Sequence, residues 1–543
     1  MLSRRAFVAA GAGALASFGA IRELRAQERA VVRRSVGAMA ANDPDLVAYR
    51  RAVGAMKALP PADPRNWYRF ANIHSNFCPH GNWYFLPWHR AYLASFERIC
   101  RQLSGKPDFA LPYWDWTMHR RLPAAFATGN GGNPLFHPRT LAAGAVLPDD
   151  MVGRGVVARV LRSPDFESFG STRPDGQDGP DARWLRREGM RTELEFNPHD
   201  GVHISVGGDM AQVPLSSRDP IFWLHHSNID RLWASWNQLG NDNSTEPSWL
   251  QFEFDRQFPN PDGSAWNVAV SDLQSTPALG YRYDDVAVAV APHSAMDAYA
   301  ADPVVFDPKY GTIARDRPPA PGPTVEMPIQ NDPNPGFIQD RPASEPRQPT
   351  PSQLKAYRSM DPYVLSRSVR GTRRIALPSG AAIYVAAAET DRSASRERPI
   401  GIPVAFGRPL RQLIGPALTG EPATPGRAHG GARVWATIRD LEPPRDKTTR
   451  LRVFANCEAL SPRTPLDDAS YATSVSFFSA AHSRHNGGHG VSVSVDLTPT
   501  LRQMYRRRRL HGDRIVLQLL PVCRGDDVAA SSVRARRVEI ALI

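Results

Sequence analysis

Apolar residues recur every three to four positions in several stretches of the first half of the chain, which is typical of amphipathic helices. Residues 31–58 and 87–103 show this spacing, the second as a continuous stripe. Pro198 is compatible with the first turn of a helix over 199–206, and the Asp-Pro pair that opens 219–237 is typical of a capped helix. Four such helices predict a bundle whose interior can hold a metal.

In the second half the apolar spacing changes to every second position, which predicts β-strands. The alternation is clearest over residues 382–385, 451–454, 491–495 and 515–519. Between the two halves proline recurs through residues 315–353, as in an extended linker. The sequence therefore predicts a multidomain protein with a mainly α core over 30–285, a proline-rich linker over 286–356 and a C-terminal β-sandwich-like domain over 357–543.

Composition fits a globular protein without a nucleic-acid partner. The 543 residues are 42% hydrophobic, as in ordinary folded domains. The formal net charge is +12, but the excess arginine is spread along the chain. The one dense run, over residues 506–509, is not accompanied by the spacing of any nucleic-acid-binding motif, so we expect it to be a solvated surface.

The first residues predict export. Arg4 and Arg5 follow Ser3 and precede a short apolar run over residues 9–21, which is the pattern of twin-arginine (Tat) signals. The run is too short to anchor the protein permanently in a bilayer. We therefore expect a Tat-type signal peptide over residues 1–26, no stable membrane insertion and a periplasmic or extracellular location.

The chain has only 4 cysteines, too few for a disulfide scaffold. Cys457 and Cys523 both lie in the C-terminal part, where export would permit a disulfide, and the sequence leaves their pairing open. Cys100 lies on the apolar stripe of a predicted helix and is interpreted as a core residue.

Two sets of histidines point to metal chemistry. His199 and His203 are four residues apart, so on a helix they share one face, and a second helix adds His226. The first half of the chain holds a matching set: His74, His80 and His89. Imidazole suits copper, and three histidines also suit catalytic zinc, whereas the lack of carboxylates argues against Mg²⁺ or Ca²⁺.

The residues around these histidines form two long motifs. The segment 80–97 resembles the copper A signature of the tyrosinase family, and the segment 219–230 resembles its copper B signature. The segments 111–116 and 281–283 are similar to further motifs of the family, and the resemblance covers about residues 33–283. The residues that carry the two signatures are His80, His89, Arg90, Leu93, Glu97, Asp219, Pro220, Phe222, His226 and Asp230.

The resemblance implies a type 3 centre of two copper ions that uses O2 to oxidise small phenols and catechols to o-quinones. It assigns copper A to His74, His80 and His89. It assigns copper B to His199, His203 and His226. By the same signature, His225 is packed beside the site rather than bound to copper.

Four further residues receive roles from the resemblance. Cys78 would form a thioether with His80, as in fungal members of the family, and would fix the orientation of that ring. Glu195 would orient a water that takes the proton of an incoming phenol. Asp200 stands where efficient hydroxylating members often carry Asn, and Val213 resembles a small residue above copper B that favours phenol access.

The C-terminal part, from about residue 451, more loosely resembles the C-terminal domain of plant polyphenol oxidases. This implies a lid that keeps a proenzyme latent until a protease cuts the linker. The sequence does not indicate which side chain covers the site. His482, His485 and His489 surround an Asn-Gly-Gly turn, so we interpret them as part of a solvated loop.

Several alternatives stay open at this point. Within the same chemistry, the chain could oxidise only catechols or act on o-aminophenols. From another class, an O2 carrier like a molluscan hemocyanin unit would use the same copper ligands, although such carriers occur as strings of repeated units. A zinc-binding protein is the third alternative.

Overall fold

A computed structural model of the chain describes residues 30–129, 132–142, 144–174, 176–286, 373–376, 382–406, 409–410, 433–478, 490–523 and 528–542. The predicted signal peptide and almost all of the predicted linker lie outside these residues. The α-helices within them are α1 (Pro44–Ala58), α2 (Trp67–Phe77), α3 (Phe85–Ser104), α4 (Ala124–Ala127), α5 (Asp149–Val152), α6 (Arg154–Leu161), α7 (Phe166–Gly170), α8 (Asp200–Val206), α9 (Ile221–Gln238), α10 (Pro247–Leu250) and α11 (Thr498–Arg506).

The first predicted helix is shorter than its apolar spacing indicates. Helix α1 begins at Pro44, where the side chain of Asp43 caps the first turn. Val31–Arg33 instead forms strand β1, which pairs in parallel with β4 (Tyr281–Tyr283). The prediction of helix from residue 31 was therefore wrong, because a strand partner about 250 residues away overrides the local pattern.

Helix α3 runs through the centre of the helical core. Its bounds, Phe85–Ser104, confirm the prediction over 87–103, and it ends at Gly105 with a left-handed φ of 68°. Helix α2 was not predicted. It begins after Asn66, whose side chain accepts hydrogen bonds from two backbone N–H groups of the first turn, and it carries His74.

The helices of the second histidine set begin in two different ways. Helix α9 (Ile221–Gln238) confirms the prediction over 219–237, and Asp219 Oδ1 accepts the N–H of Ile221 at 2.9 Å. Pro198 does not open a helix as predicted. It lies inside a π-helix, Glu195–His199, which leads directly into α8. Such π-turns are rare and occur often at functional sites.

A buried ionic network ties the ends of the core together. The Asp230 carboxylate on α9 accepts hydrogen bonds from Arg90 Nε (2.6 Å), Tyr281 OH (2.7 Å) and Tyr283 OH (2.6 Å), and Arg33 lies 3.5 Å away. Burial alone would raise the pKa of Asp230, but the two guanidinium groups outweigh it and hold the pKa below its usual value. The network fixes β1 and β4 against the two central helices.

The C-terminal part contains two large antiparallel sheets among its described residues, as predicted for a β-sandwich-like domain. Besides β1 and β4, the strands of the described residues are β2 (Glu253–Pro259), β3 (Ala265–Ala269), β5 (Arg373–Ala376), β6 (Ala382–Glu389), β7 (Ser393–Ala394), β8 (Ile400–Ala405), β9 (Val434–Leu441), β10 (Arg450–Ala455), β11 (Tyr471–Val475), β12 (Val491–Asp496), β13 (Arg514–Val522), β14 (Val533–Arg534) and β15 (Arg537–Leu542). The strand order is β11-β10-β13-β8 in one large sheet and β12-β9-β15-β6-β5 in the other. All four alternating segments named from the sequence lie in strands.

The register of β10 and β13 decides the open question about the cysteines. Arg450 pairs with Val522 at one end of this strand pair, and Cys457 follows β10 at the other end. Cys523 therefore lies at the opposite end from Cys457, and the two do not form a disulfide bond. Cys100 is buried in the helical core, as predicted.

The C-terminal domain docks on the helical core through buried polar contacts. The carboxylate of Asp150, on helix α5, forms an ion pair with Arg450 and accepts the hydroxyl of Ser474 at 3.0 Å. One residue earlier on β11, Thr473 Oγ1 donates to Glu193 Oε1 at 2.7 Å. The residues that follow β11, 476–478, lead towards the histidines.

Two expectations about the surface can be compared with the described residues. Arg506 lies at the end of α11 and is exposed, together with the two arginines that follow it, as expected for a solvated run. Among the described helices, none has both the length and the apolar character needed to cross a membrane.

Candidate metal centre

The six predicted histidines meet at one buried point between α2, α3, α8 and α9. Their rings are at most 9% exposed. The rings of His89 and His226 stack at the centre, with 4.2 Å between ring centroids and 10° between ring planes. Helix α3 carries one of these two rings and helix α9 carries the other, so the two histidine sets face each other directly.

The side chains fall into two groups that could each hold a metal ion. In each group, one nitrogen or sulfur atom from every side chain lies within 4.8 Å of those from the others. The first group is His74, Cys78, His80 and His89, and the second group is His199, His203, His225 and His226.

Hydrogen bonds orient four of the six imidazoles in the same way. In each of them Nδ1 faces an oxygen that can only accept a hydrogen bond, so Nδ1 carries the proton and Nε2 presents its lone pair. The pairs are His74 with Val213 O (2.9 Å), His89 with Phe85 O (2.8 Å), His199 with Asp200 Oδ1 (2.8 Å) and His203 with Met210 O (2.8 Å). Partners of this kind are typical of metal-binding histidines.

The neighbouring residues His225 and His226 differ in their contacts. The indole N–H of Trp116 donates to His225 Nδ1 at 3.2 Å, so Nδ1 accepts and the proton of this neutral ring lies on Nε2, which leaves no lone pair for a metal. The Nε2 of His226 instead lies 3.2 Å from the Nε2 of His203, and the two nitrogens converge on the same region. The contacts therefore favour His226 as the third member of the second set.

Burial keeps these imidazoles neutral. Desolvation, reinforced by neighbouring imidazoles, lowers the pKa of His80, His89, His203 and His226 well below its usual value. Burial and then Arg191 lower the pKa of His199 to about 3. Neutral imidazole is the form that binds metal, so the two sets fit two copper ions by donor type, protonation and burial.

Cys78 lies between two histidines of the first set. Its Sγ is 3.6 Å from Nδ1 and 3.7 Å from Nε2 of His80, so it lies in contact with that ring at nearly equal distance from both nitrogens. The same sulfur is 3.4 Å from His89 Nε2. The sulfur is thus adjacent to His80 as predicted, without a covalent bond in this structure.

Glu195 is a fully buried carboxylate at the start of the π-helix. Gly81 N–H donates to Oε1 at 2.6 Å, and the Ser171 hydroxyl donates to Oε2 at 2.7 Å. Burial raises its pKa to about 7 although Arg191 acts in the opposite direction. A carboxyl group with a pKa near neutrality can accept and return a proton, as a general base requires.

Asp200 and Val213 line the site, and each also accepts a hydrogen bond from one of the six imidazoles. Asp200 accepts the Nδ1 proton of His199 and lies 3.6 Å from Arg191 Nη1, so it orients a histidine of the second set. The carbonyl of Val213 accepts from His74, while its side chain packs with Ile204 in a small apolar cluster.

The third member of that apolar cluster is Phe478, which comes from the C-terminal domain. Its ring lies flat on His203, with 3.9 Å between centroids and 8° between planes, and it is 2% exposed. The edge of the same ring approaches His80 and His199 at 6.1 and 5.9 Å. Phe478 was not predicted as a site residue, although the aromatic pair that ends the segment 474–478 is visible in the sequence.

Comparison with protein families and curated proteins agrees with this geometry. The family model "common central domain of tyrosinase" matches residues 64–151 and 149–239. The chain is 31% identical over 290 residues to tyrosinase HcTyr1 of Hahella sp. (strain CCB-MM4), an alignment that covers 44% of this chain and 61% of that protein. It is 30% identical over 289 residues to a chloroplastic polyphenol oxidase of Malus domestica, covering 44% and 46%. The chain thus spans about half the length of these relatives.

Solved structures show that the whole arrangement of two domains recurs. Latent apple tyrosinase aligns with a TM-score of 0.57 at 19% identity, over 95% of this chain and 98% of that one. A latent aurone synthase (polyphenol oxidase) aligns with a TM-score of 0.60 at 19% identity, over 95% and 90%. At these identities the likeness concerns the fold, whereas the sequence matches concern the helical core that holds the paired histidine sets. Residues 64–239 of the chain thus carry the common central domain of tyrosinase, and the two histidine groups of this region fit the two copper ions of a binuclear centre.

Proposed function

We propose that this protein oxidises phenols and catechols to o-quinones with O2. His74, His80 and His89 would hold copper A, and His199, His203 and His226 would hold copper B. The observation that carries the proposal is the meeting of two neutral three-imidazole sets across the stacked His89 and His226 rings. Such a pair of sites is suited to two metal ions that act on one O2 molecule.

The copper pair supplies the O2 chemistry when bound, and the protein supplies orientation and proton transfer. Asp200 holds the His199 ring in one tautomer. Glu195, fixed by Gly81 and Ser171, would take the phenol proton through a water, since its pKa of about 7 allows it to be ionised near neutral pH.

Phe478 supports a latent form of the enzyme. Its ring occupies the face of His203 on which a phenol ring would stack, and it closes the apolar space beside Val213. A substrate and Phe478 cannot occupy this position together. The full chain would therefore be a proenzyme that opens when a protease acts on the linker or when Phe478 moves away.

Two further proposals follow from the sequence and the local geometry. Cys78 would be joined to His80 by a thioether in the mature enzyme, because its sulfur already faces that ring. The twin-arginine segment would direct the folded protein to the periplasm or the medium.

The central test uses the full chain loaded with copper. Wild type and Phe478→Ala are compared for O2 uptake and quinone formation with a catechol and a monophenol. Removing a buried, stacked ring should raise catechol turnover about tenfold or more, since such a contact contributes about 2 kcal/mol or more. Phe477→Ala is the matched control, because Phe477 packs in the core of the C-terminal domain.

Three outcomes would contradict the proposal. No quinone from any catechol, with both coppers bound and after Phe478→Ala, would favour an O2 carrier. Equal activation by Phe477→Ala would show that general loosening of the domain, and not the ring over His203, controls the site. Exclusive binding of zinc would favour the third alternative.

A further inference from the structure

The residues that lead into the π-helix contact the C-terminal domain through their backbone. The N–H of Arg191 donates to Ser492 O (3.2 Å) and the N–H of Ser494 donates to Arg191 O (3.0 Å), so Arg191 pairs with strand β12. The N–H of Ser476 donates to Phe196 O at 2.9 Å, and the Phe196 side chain is buried in the hydrophobic cluster of that domain. The guanidinium of Arg191 instead lies against residues of the helical core.

The guanidinium of Arg191 faces a carboxylate that orients one of the six histidines. The Arg191 side chain is only 3% exposed, and its Nη1 lies 3.6 Å from Asp200 Oδ2. The other oxygen of the same carboxylate, Oδ1, accepts the Nδ1 proton of His199 at 2.8 Å. On its other side the guanidinium lies 3.4 Å from Glu188 Oε1. Asp200 therefore joins Arg191 to the imidazole of His199.

Gly81 provides the space that the Arg191 side chain occupies. This glycine follows His80 directly and has a positive φ of 75°. A Cβ atom at Gly81 would lie 3.2 Å from Arg191 Nε, and the Gly81 N–H donates to Glu195 Oε1 at 2.6 Å. The guanidinium thus lies between the loop after His80 and the residue after His199, close to both histidine sets.

Arg191 supplies positive charge where two carboxylates are buried. Asp200 and Glu195 both have negligible exposure, and a buried carboxylate without a counter-charge is costly and repels further negative charge. Burial lowers the pKa of Arg191, but Glu188, Glu195 and Asp200 outweigh it and hold the pKa above its usual value. A permanent cation is therefore placed beside the carboxylate that holds His199 in one tautomer.

We propose that Arg191 is a positioning residue for monophenol oxidation, which neutralises Asp200 so that this side chain orients His199 without adding net negative charge beside copper B. The inference rests on the proposed copper function. A phenol that gives its proton to the proposed base becomes an anion in the same site, and an unpaired carboxylate would repel it. The ion-pair partners named for Arg191 lie in the helical core, so release of the C-terminal domain does not remove them.

The first test measures the ion pair without copper. Melting temperatures of the metal-free full chain are compared for wild type, Arg191→Gln, Asp200→Asn and the double variant. Asparagine keeps an oxygen that accepts the His199 proton but carries no charge. Losing one member of a buried ion pair costs more than losing both, so Arg191→Gln should melt lowest and the added Asp200→Asn should raise its melting temperature. Effects of the two changes that simply add would overturn the inference.

The second test measures turnover in the copper-loaded chain that also carries Phe478→Ala. We expect Arg191→Gln to lower kcat/KM for a monophenol about tenfold or more, and Arg191→Gln/Asp200→Asn to recover most of it, because the unpaired charge is gone. Arg191→Lys keeps the charge and should lose less than Arg191→Gln. Arg173→Gln is the matched control, since Arg173 pairs with Glu167 of the helical core and should leave turnover unchanged.

The outcomes separate this inference from the proposed function. Ordinary monophenol turnover in Arg191→Gln, or a double variant no better than Arg191→Gln, would overturn the inference while catechol turnover in wild type upholds the proposed function. If Arg191→Gln does not fold, folding of Arg191→Gln/Asp200→Asn would support the inference, and failure of both would overturn it. A copper-loaded chain that makes no quinone from any catechol would overturn the proposed function, and this inference with it.

Discussion

The two halves of the histidine cluster draw their support from different parts of the chain. Around the proposed copper A, the Nδ1 protons of His74 and His89 go to carbonyl oxygens of the helical core. Around the proposed copper B, His199 ends a π-helix that is anchored in the C-terminal domain, and Phe478 of that domain covers His203. The two metal sites are alike in donors but unlike in what holds them.

The difference shows that the donor atoms of a metal site and the backbone that holds them can vary independently. Three imidazoles on each side suffice to define a copper-binding set, but the stability of each set depends on the backbone that carries it. A change in the C-terminal domain should therefore act mainly on the proposed copper B half, because Phe478 stacks on His203 and only approaches His80. The following variants test this asymmetry, from the largest expected effect to the smallest.

Replacing each of the two adjacent histidines of α9 in turn should affect copper content and turnover most unequally. His226→Gln should remove one copper ion and abolish quinone formation, because it deletes a proposed ligand. His225→Gln should keep both copper ions, since His225 Nδ1 accepts the Trp116 N–H and Nε2 therefore carries the ring proton. Copper content per chain and catechol turnover measure the result. Loss of copper from His225→Gln alone would mean that His225, and not His226, is the third ligand of copper B.

Breaking the ion pair between Asp150 and Arg450, where the C-terminal domain contacts the helical core, should expose the proposed copper B site. Asp150→Asn leaves the partly buried Arg450 without its counter-charge, which costs about 1–3 kcal/mol, between the values for an exposed and a fully buried pair. Protease sensitivity of the full chain and its catechol turnover should both rise. Asp149→Asn is the matched control, because Asp149 forms a partly exposed pair with Arg120 that contributes little.

The same ion pair predicts how acid affects docking. Burial would raise the pKa of Asp150, but Arg450 and Arg452 outweigh it and the pKa lies below its usual value. The ionised carboxylate thus stabilises docking above the ordinary pKa of about 4, and this contribution is lost as the pH falls through the lower folded value. Acid should open the wild type, and Asp150→Asn should remove this pH dependence. An unchanged acid response in the variant would assign it to another group.

Removing the proposed base, Glu195, should affect the oxidation of monophenols and that of catechols differently. Glu195→Gln should lower monophenol turnover about 100-fold and leave catechol turnover largely intact, because a general base contributes on this scale. Steady-state rates for both substrates give the ratio, and Glu188→Gln, at a partly exposed position, is the control. An equal fall for both substrates would show that Glu195 supports the π-helix rather than transferring a proton.

The smallest effect is expected at the proposed copper A site. Cys78→Ala removes the proposed thioether and should weaken copper A about tenfold, as loss of an orienting partner does, without affecting copper B. Peptide mass analysis of the wild type should show a cross-linked peptide that lacks two hydrogen atoms. Cys100→Ala, at a buried position in α3, is the control. Reduced binding of copper B in Cys78→Ala would contradict independent support of the two sites.

The elements that the sequence predicts well are those whose signal is local. Helices α3 and α9 and the strands of the C-terminal domain follow from apolar spacing, because the pattern that predicts each of them lies within the element itself. Strand β1 does not, since its hydrogen-bond partner, Tyr281–Tyr283, lies far along the chain. The spacing of the histidines and the family resemblance predict which six imidazoles meet, and the structure brings all six together.

The features that escaped prediction arise where the two domains touch. Phe478 becomes a site residue only when β11 docks on the core, so no local pattern marks it. The π-helix was also missed, because a proline that would ordinarily open a helix is accommodated at Pro198 by contacts from both domains.

The cysteines described above bear on where the protein can acquire its structure. No disulfide bond joins any of them, and Cys457 and Cys523 lie at opposite ends of a strand pair. The fold, including the contact of both domains with the π-helix, therefore does not depend on an oxidising compartment. Thiol reductants should leave its melting temperature unchanged, and the same architecture is available to the chain on either side of a cell membrane.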